Sequence, residues 1–317
     1  MCFISISYQT NGIKRRESII CFVIFMANKA NRSSIDRVDN TGLAADNSGK
    51  LEWAQIALDK VVVANSERAW LYQPQSSEDR FAKPMECAGS FATTKKLLDT
   101  AIAAAKVAVQ SNARPPALTA TRWVWRLAGA YHLTAPVPRL LKDAAVGFAA
   151  NSRSNLESWA LEKVEEETGH DRLALLDIQS LGYDAEAVVR ELHPPAAKAL
   201  MDYFARSVQD DDPIDGVGYT YTMERLSLGI EQDYIDKVES LIPPEINATR
   251  CLRVHSAVGA DAGHVDENVE MIAQLSASER TRIARACYET ALMLFSPPPG
   301  DYISDEEIQE VLEPLRR

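Results

Sequence analysis

Two short motifs in the chain place a carboxylate three residues before a histidine. They read E-T-G-H, from Glu167 to His170, and D-A-G-H, from Asp261 to His264. On one α-helix this spacing puts both side chains on the same face, where they can share a ligand. Helical bundles hold paired iron or manganese ions with acid-x-x-His pairs on two helices and single carboxylates from others. The two motifs therefore predict a metal site suited to oxidative chemistry.

A lone carboxylate, Glu224, lies between the two motifs among apolar neighbours in a helix-like segment. Helical spacing likewise puts Glu167 and His170 on a stripe that is otherwise apolar. A carboxylate on such a face is costly unless it is paired or binds a metal. Glu165 and Glu166 fall on the opposite, charged face of the predicted helix, and we expect them in solvent.

A third histidine, His255, precedes His264 by nine residues, which is half a turn out of phase on a regular helix. It reaches the same site only if the helix is bulged or broken, and Gly259 and Gly263 permit such a break.

The spacing of the motifs is weak evidence by itself. Acidic residues make up 45 of the 317 residues and there are five histidines, so an acid three residues before a histidine also arises by chance. A buried acid–histidine hydrogen bond without a metal is the alternative that the residues leave open.

The elements that must position these residues are predicted to be helices, from Leu51 to the C-terminus, with no hairpin signal. One long helix is predicted from Ser154, which forms a capping box with Glu157, to Leu181, with Gly182 as its stop. Other helices are predicted at 51–72, 94–110, 121–133, 136–149, 185–193, 195–208, 218–241, 246–275, 278–295 and 304–317. The predicted fold class is all-α, a single helical bundle of about seven core helices. The bundle domain spans residues 51–317, with its core at 121–296.

Residues 1–50 are expected to be a disordered or mis-started segment. Met26 fits a natural start, and residues 31–50 are polar. A signal peptide is the alternative, because the basic residues 14–16 precede a short apolar run at 19–26.

Composition narrows the function classes. The net charge of −11 argues against nucleic acid as a partner, because phosphate binding needs a basic face. The five scattered cysteines fit reduced thiols in a cytoplasmic protein. The apolar run at 19–26 is too short to span a bilayer, so no membrane partner is expected. No nucleotide-binding or serine-hydrolase motif occurs in the sequence.

Three stretches together resemble a known family. They are EEETGHDRLALLDIQSLGY, GYTYTMERLSLGIE and RVHSAVGADAGHVDENVEMI, at 165–183, 218–231 and 253–272. Their order, an acid-x-x-His, a lone Glu and a late helix with His, Asp and His, resembles the heme-oxygenase-like diiron oxidases and oxygenases, which are related to thiaminase II and to the oxidase of PQQ synthesis. The resemblance covers roughly residues 121–295.

The resemblance implies a seven-helix bundle that holds Fe(II), with two irons expected and O2 as co-substrate. The metal ligands carried over by position are Glu167, His170, Glu224, His255, Asp261 and His264. Members of the family usually have the earlier histidine four residues before the aspartate, where this chain has Ala257. Several also carry an early carboxylate, where this chain offers only His132. These departures leave open whether the site holds one iron or two.

The implied function is that of a non-heme iron, O2-dependent oxidase or oxygenase in natural-product biosynthesis. Its substrate would be a small amine, amino acid or fatty-acid-like molecule, with Arg253 or Lys163 available to bind a carboxylate. A homodimer and an external electron donor are compatible with the sequence. The alternatives are a metal-free enzyme of the same fold and a non-catalytic helical interaction protein.

Overall fold

The computed structural model describes residues 51–109, 116–256 and 261–317, with the backbone alone for 261–263. The expectations for residues 1–50 lie outside the described residues, so the domain boundaries stay a prediction. Within the described residues the chain forms thirteen α-helices: α1 Phe91–Ala108, α2 Ala120–Thr134, α3 Val137–Ala150, α4 Ser154–Glu167, α5 His170–Ser180, α6 Ala185–Glu191, α7 Pro195–Gln209, α8 Ile214–Ser227, α9 Gln232–Glu239, α10 Arg250–Val254, α11 Asp261–Ala273, α12 Ala277–Phe295 and α13 Asp305–Leu312.

The helices pack as a bundle around one large apolar core, which confirms the predicted helical fold class. Helix α3 packs along α4, α2 along α5, and α8 along α12, while α11 contacts both α1 and α8. A Cβ at Gly218 would lie 2.6 Å from the carbonyl oxygen of Ile283. Glycine at this position therefore lets α8 approach α12 closely. None of the helices in the described ranges has the length and apolar composition needed to cross a membrane.

The helix predicted at 51–72 is wrong. This segment forms an antiparallel sheet of three strands, β1 Glu52–Ala57, β2 Lys60–Ala64 and β3 Ala69–Tyr72, in the order β1-β2-β3. In the central strand Val62 joins the main core, whereas Val61 and Val63 join a second apolar cluster on the opposite face. Because both faces are covered, the strands lack the alternation that marks a half-exposed sheet. The two-residue turn at Leu58 and Asp59 also lacks the usual hairpin glycine.

A buried ion pair fastens the sheet to the bundle. The guanidinium Nε of Arg280 on α12 donates to Glu52 Oε2 over 3.0 Å, and both side chains are 1% exposed. The hydroxyl of Thr94 and the backbone N–H of Ser90, at the start of α1, donate to the other oxygen of Glu52. One carboxylate thus joins β1, α1 and α12.

The long helix predicted from Ser154 to Leu181 is also wrong. The predicted capping box is absent: Arg153 precedes α4 without a side-chain cap. Helix α4 ends at Glu167, Thr168 is extended, and Gly169 has φ +96°, the left-handed region that favours glycine. Helix α5 then begins at His170, so the first acid-x-x-His motif spans a break between two helices.

Two further predicted helices are each divided in two. The segment 218–241 contains the end of α8 and, after a connection at 228–231, helix α9. The segment 246–275 contains α10 and α11, with 257–260 outside the described residues. By contrast, the predicted stop at Gly182 is confirmed by its φ of +86°.

We expect Arg280→Met to lower the free energy of unfolding by about 3–5 kcal/mol, because it leaves the Glu52 carboxylate buried without its cation. Arg285→Met is the matched control on the same helix, because Arg285 is half exposed and lies 4.0 Å from Glu289. The control should cost about 0–1 kcal/mol. Urea denaturation followed by circular dichroism measures both, and equal losses would contradict the assigned role of the pair.

Candidate metal centre

Three potential metal donors meet at one point between α4, α5 and the end of α10. One ligand atom from each of Glu167, His170 and His255 lies within 4.8 Å of the other two. Glu167 Oε2 is 3.0 Å from His170 Nδ1. The rings of His170 and His255 are 4.6 Å apart and nearly perpendicular. This is the donor set that a metal ion between these helices would use.

The break between α4 and α5 sets the first two donors. Glu167 is the last residue of α4, and His170 is the first residue of α5. The Thr168 hydroxyl donates to the carbonyl oxygen of Val164 over 2.6 Å, which stabilises the end of α4. The left-handed Gly169 then turns the chain into α5. The side chains of Glu167 and His170 are each 21% exposed, so a ligand can reach them although they are largely enclosed.

Asp177, which sequence reasoning missed, positions the third donor. This residue of α5 is fully buried, and its carboxylate accepts hydrogen bonds from the backbone N–H groups of Arg250 and Cys251 and from the Arg250 guanidinium. Burial raises the pKa of Asp177, partly offset by these bonds. The carboxylate therefore joins α5, which begins with His170, to α10, which leads into His255.

His255 would be half a turn out of phase with His264 only on a continuous helix, and the helix ends before this residue. Helix α10 ends at Val254, and His255 has non-helical dihedral angles of −94° and 58°. The break that the sequence required for His255 to approach the site is present. His255 therefore lies beside Glu167 and His170, in a different group from His264.

A cavity of about 90 Å³ lies against this donor set. Glu167, His255 and Glu224 form its carboxylate and imidazole side. Its other walls are mostly apolar and come from α2, α3, α7 and α8, with Leu133, Val137, Leu141, Phe204 and Met223 among them. The volume is several times what a single water needs, so the cavity can admit part of a small molecule.

Glu224, the lone carboxylate of the sequence prediction, is held by other protein groups. It is 8% exposed. Lys163 Nζ lies 2.9 Å from Glu224 Oε1, and the side-chain amide of Asn268 donates to Oε2 over 2.5 Å. The Trp159 indole N–H donates to the Asn268 oxygen over 2.7 Å. Burial lowers the pKa of Lys163, but Glu224 and Glu166 outweigh it, and the net shift is upward.

Only part of the second motif, D-A-G-H, lies among the described side chains. Asp261 begins α11, but its side chain lies outside the described residues. His264 is 28% exposed, and its Nδ1 is 3.5 Å from Glu166 Oε2. Glu165 is exposed, as expected, whereas Glu166 is only partly exposed and lies 2.7 Å from Lys163. Because α11 approaches this side of α4, Glu166 faces another helix.

Two other side chains considered from the sequence have different partners. His132 Nε2 lies 2.9 Å from the carbonyl oxygen of Leu192, and its ring stacks on that of His193. Arg253 is 2.6 Å from Glu239 and is about two-fifths exposed. Neither is among the described residues that line the cavity.

The donor set fits Fe(II). Two imidazoles and one carboxylate on one side of a metal leave its other positions open, which is the arrangement of non-heme iron oxygenases. Glu167 and His255 also line the cavity, so an ion held by this set would lie at its edge. Among the described residues this is the only group of three such donors brought together.

Comparisons with known proteins add limited information. No family model matches the sequence, and no curated protein matches it. The structure is similar to a domain of unknown function with a heme oxygenase-like fold from Shewanella denitrificans OS217, with 21% identity, a TM-score of 0.48, and 69% of this chain and 86% of that chain covered. It is also similar to a TenA homologue from Pseudomonas syringae pv. tomato DC3000, with 12% identity, a TM-score of 0.49, and coverage of 67% and 96%. At these values neither structure assigns a family, an activity or a residue role to this chain.

Proposed function

We propose that this protein is a non-heme iron, O2-dependent oxidase or oxygenase that acts on a small amine. The observation that carries the proposal is the meeting of Glu167, His170 and His255 within 4.8 Å at the edge of a mostly apolar cavity. A structural acid–histidine hydrogen bond accounts for Glu167 and His170 alone. It leaves the approach of a second imidazole from another helix unexplained.

The bound iron would supply open coordination positions and electrons for O2 chemistry. The residues of the chain hold the ion and shape the space beside it. Glu167 would neutralise part of its charge, and His170 and His255 would bind it through imidazole nitrogens. The apolar walls would limit the access of bulk water and place a substrate beside the donor set.

The polar lining of the cavity favours an amine over an acid. The described lining residues with polar side chains carry carboxylates, hydroxyls, a thiol or an imidazole, and none is lysine or arginine. The two cations that the sequence offered for a substrate carboxylate, Lys163 and Arg253, contact protein carboxylates instead. No described lining side chain is an ammonium or guanidinium that could pair with a substrate carboxylate, whereas the lining hydroxyl and carboxylate oxygens can accept hydrogen bonds from an amine.

The electron balance requires an external donor. Insertion of one oxygen atom of O2 into the substrate sends the other to water, which takes two electrons and two protons beyond those of the substrate. We therefore propose a small-molecule substrate, O2 and an external reductant as the reactants.

In the metal-free alternative, the thiol in the cavity would be a candidate nucleophile, and it is poorly suited to that role. Cys251 lines the cavity and is fully buried. Burial, with Asp177 and Glu167 nearby, raises its pKa above the usual thiol range. At neutral pH it stays protonated, and the thiol form is a weak nucleophile.

We predict that the purified protein binds Fe(II) under anaerobic conditions and that His255→Ala weakens this binding by at least about 100-fold. Loss of an outer-shell partner alone costs about 10–100-fold. The control is His193→Ala, because His193 is exposed and contacts only a backbone carbonyl and the His132 ring among the described interactions. Bound iron is counted after gel filtration. Equal affinity in His255→Ala and the parent, or no binding by the parent, would rule out the proposed centre.

The substrate class gives a second prediction. With iron and a reductant present, a primary alkylamine should raise the rate of O2 uptake, whereas the carboxylic acid of the same chain length should leave it at the background rate. An oxygen electrode measures both. Uptake with the acids but not with the amines would overturn the amine assignment and leave the iron centre standing.

A further inference from the structure

A lysine contacts the two carboxylates that a second metal ion of a dinuclear centre would need. Lys163 Nζ is 2.9 Å from Glu224 Oε1 and 2.7 Å from Glu166 Oε2, and its side chain is 5% exposed. His264 Nδ1 is 3.5 Å from the same oxygen of Glu166. Among the described side chains, the two carboxylates that a second ion could use are therefore paired with an ammonium group, and the imidazole faces one of them.

We infer that Lys163 takes the place of a second metal cation, so that this chain binds a single iron. The inference rests on the proposed iron centre, and it concerns the number of metals and the residue that sets it. It departs from the two irons that the sequence resemblance implies.

The charges around Glu224 favour the lysine over a second metal ion. A carboxylate as buried as Glu224 needs a compensating cation, and a partly buried Glu166 gains from one. Lys163 supplies one positive charge at hydrogen-bond distance from both. A divalent ion in the same place would meet that ammonium at close range, and like charges there repel strongly in a poorly solvated setting. Either the lysine or the metal can hold these carboxylates.

The orientation of Asn268 also favours hydrogen bonding over metal binding at Glu224. The Trp159 indole can only donate a hydrogen bond, so it fixes the amide oxygen of Asn268 toward itself. The amide nitrogen then faces Glu224 Oε2 and donates to it. Both oxygens of Glu224 are thus engaged by proton donors, one from Asn268 and one from Lys163. Glu224 is held in this way as an acceptor of hydrogen bonds, in an arrangement that a metal would have to dismantle.

The two sets of potential metal donors also differ in whether their ligand atoms converge. Ligand atoms of Glu167, His170 and His255 already converge, whereas Glu166, Glu224 and His264 do not form such a group among the described residues. The two sets lie side by side on α4, because Glu166 and Glu167 are consecutive. The chain therefore builds one converged donor set and, next to it, one set closed by a lysine.

The test is to count iron in the parent and in Lys163→Met. The proteins are incubated anaerobically with excess Fe(II), freed of unbound metal by gel filtration and analysed by mass spectrometry. We expect about one iron per chain in the parent and about two in Lys163→Met, because the variant frees Glu166 and Glu224. Lys163→Arg should keep about one, since it keeps the cation. Lys198→Met, which removes an exposed lysine paired with Asp202, is the surface control and should also keep one.

The outcomes separate the two proposals. No iron in the parent refutes the iron centre itself. Two irons in the parent, or one iron in a folded Lys163→Met, overturns the inference about Lys163 and leaves the iron centre standing. If Lys163→Met does not fold, Glu224→Gln decides. Its iron affinity should stay within tenfold of the parent because Glu224 is not a ligand, and a larger loss overturns the inference.

Discussion

The centre depends on one buried carboxylate, that of Asp177. It accepts hydrogen bonds from two backbone N–H groups at the start of α10 and from the Arg250 guanidinium. Separating the two helices would leave this carboxylate in an apolar interior without its partners, so the contact between α5 and α10 is strongly specified. The two imidazoles, His170 at the start of α5 and His255 at the end of α10, meet because their helices are joined there.

Helix α4 contributes residues to two charged networks. On one side the end of α4 presents Glu167 to the imidazoles and the cavity. On the other side Lys163 and Glu166 face α8 and α11, where they contact Glu224 and His264. An ammonium group is a cation supplied by the chain itself, so the second network needs no external ion. The first contains the carboxylate and imidazole groups of the proposed iron centre.

Part of this arrangement could be predicted from the sequence. The helical class, the apolar context of Glu167 and the burial of Glu224 follow from periodicity, which reports which face of an element is covered. The breaks in the helices could not be predicted in this way. The helical pattern continues across Gly169, and only the tertiary packing decides that the chain turns there. The role of Asp177 could not be predicted either, because a lone acid in a helix carries no local sign of a partner 73 residues away.

The sheet at 52–72 could not be predicted from local sequence patterns either. Its strands are covered on both faces, so their sequence lacks alternation. The pairing of Glu52 with Arg280 joins residues that are 228 positions apart in the sequence. Such long-range contacts decide local structure without leaving a local pattern.

The most direct measurement is the anomalous diffraction of crystals soaked anaerobically with Fe(II), collected on both sides of the iron absorption edge. We expect one anomalous peak, within bonding distance of Glu167, His170 and His255, with Lys163 still between Glu166 and Glu224. An iron peak between Glu166, Glu224 and His264, or no peak at the three donors, would contradict this account of the centre.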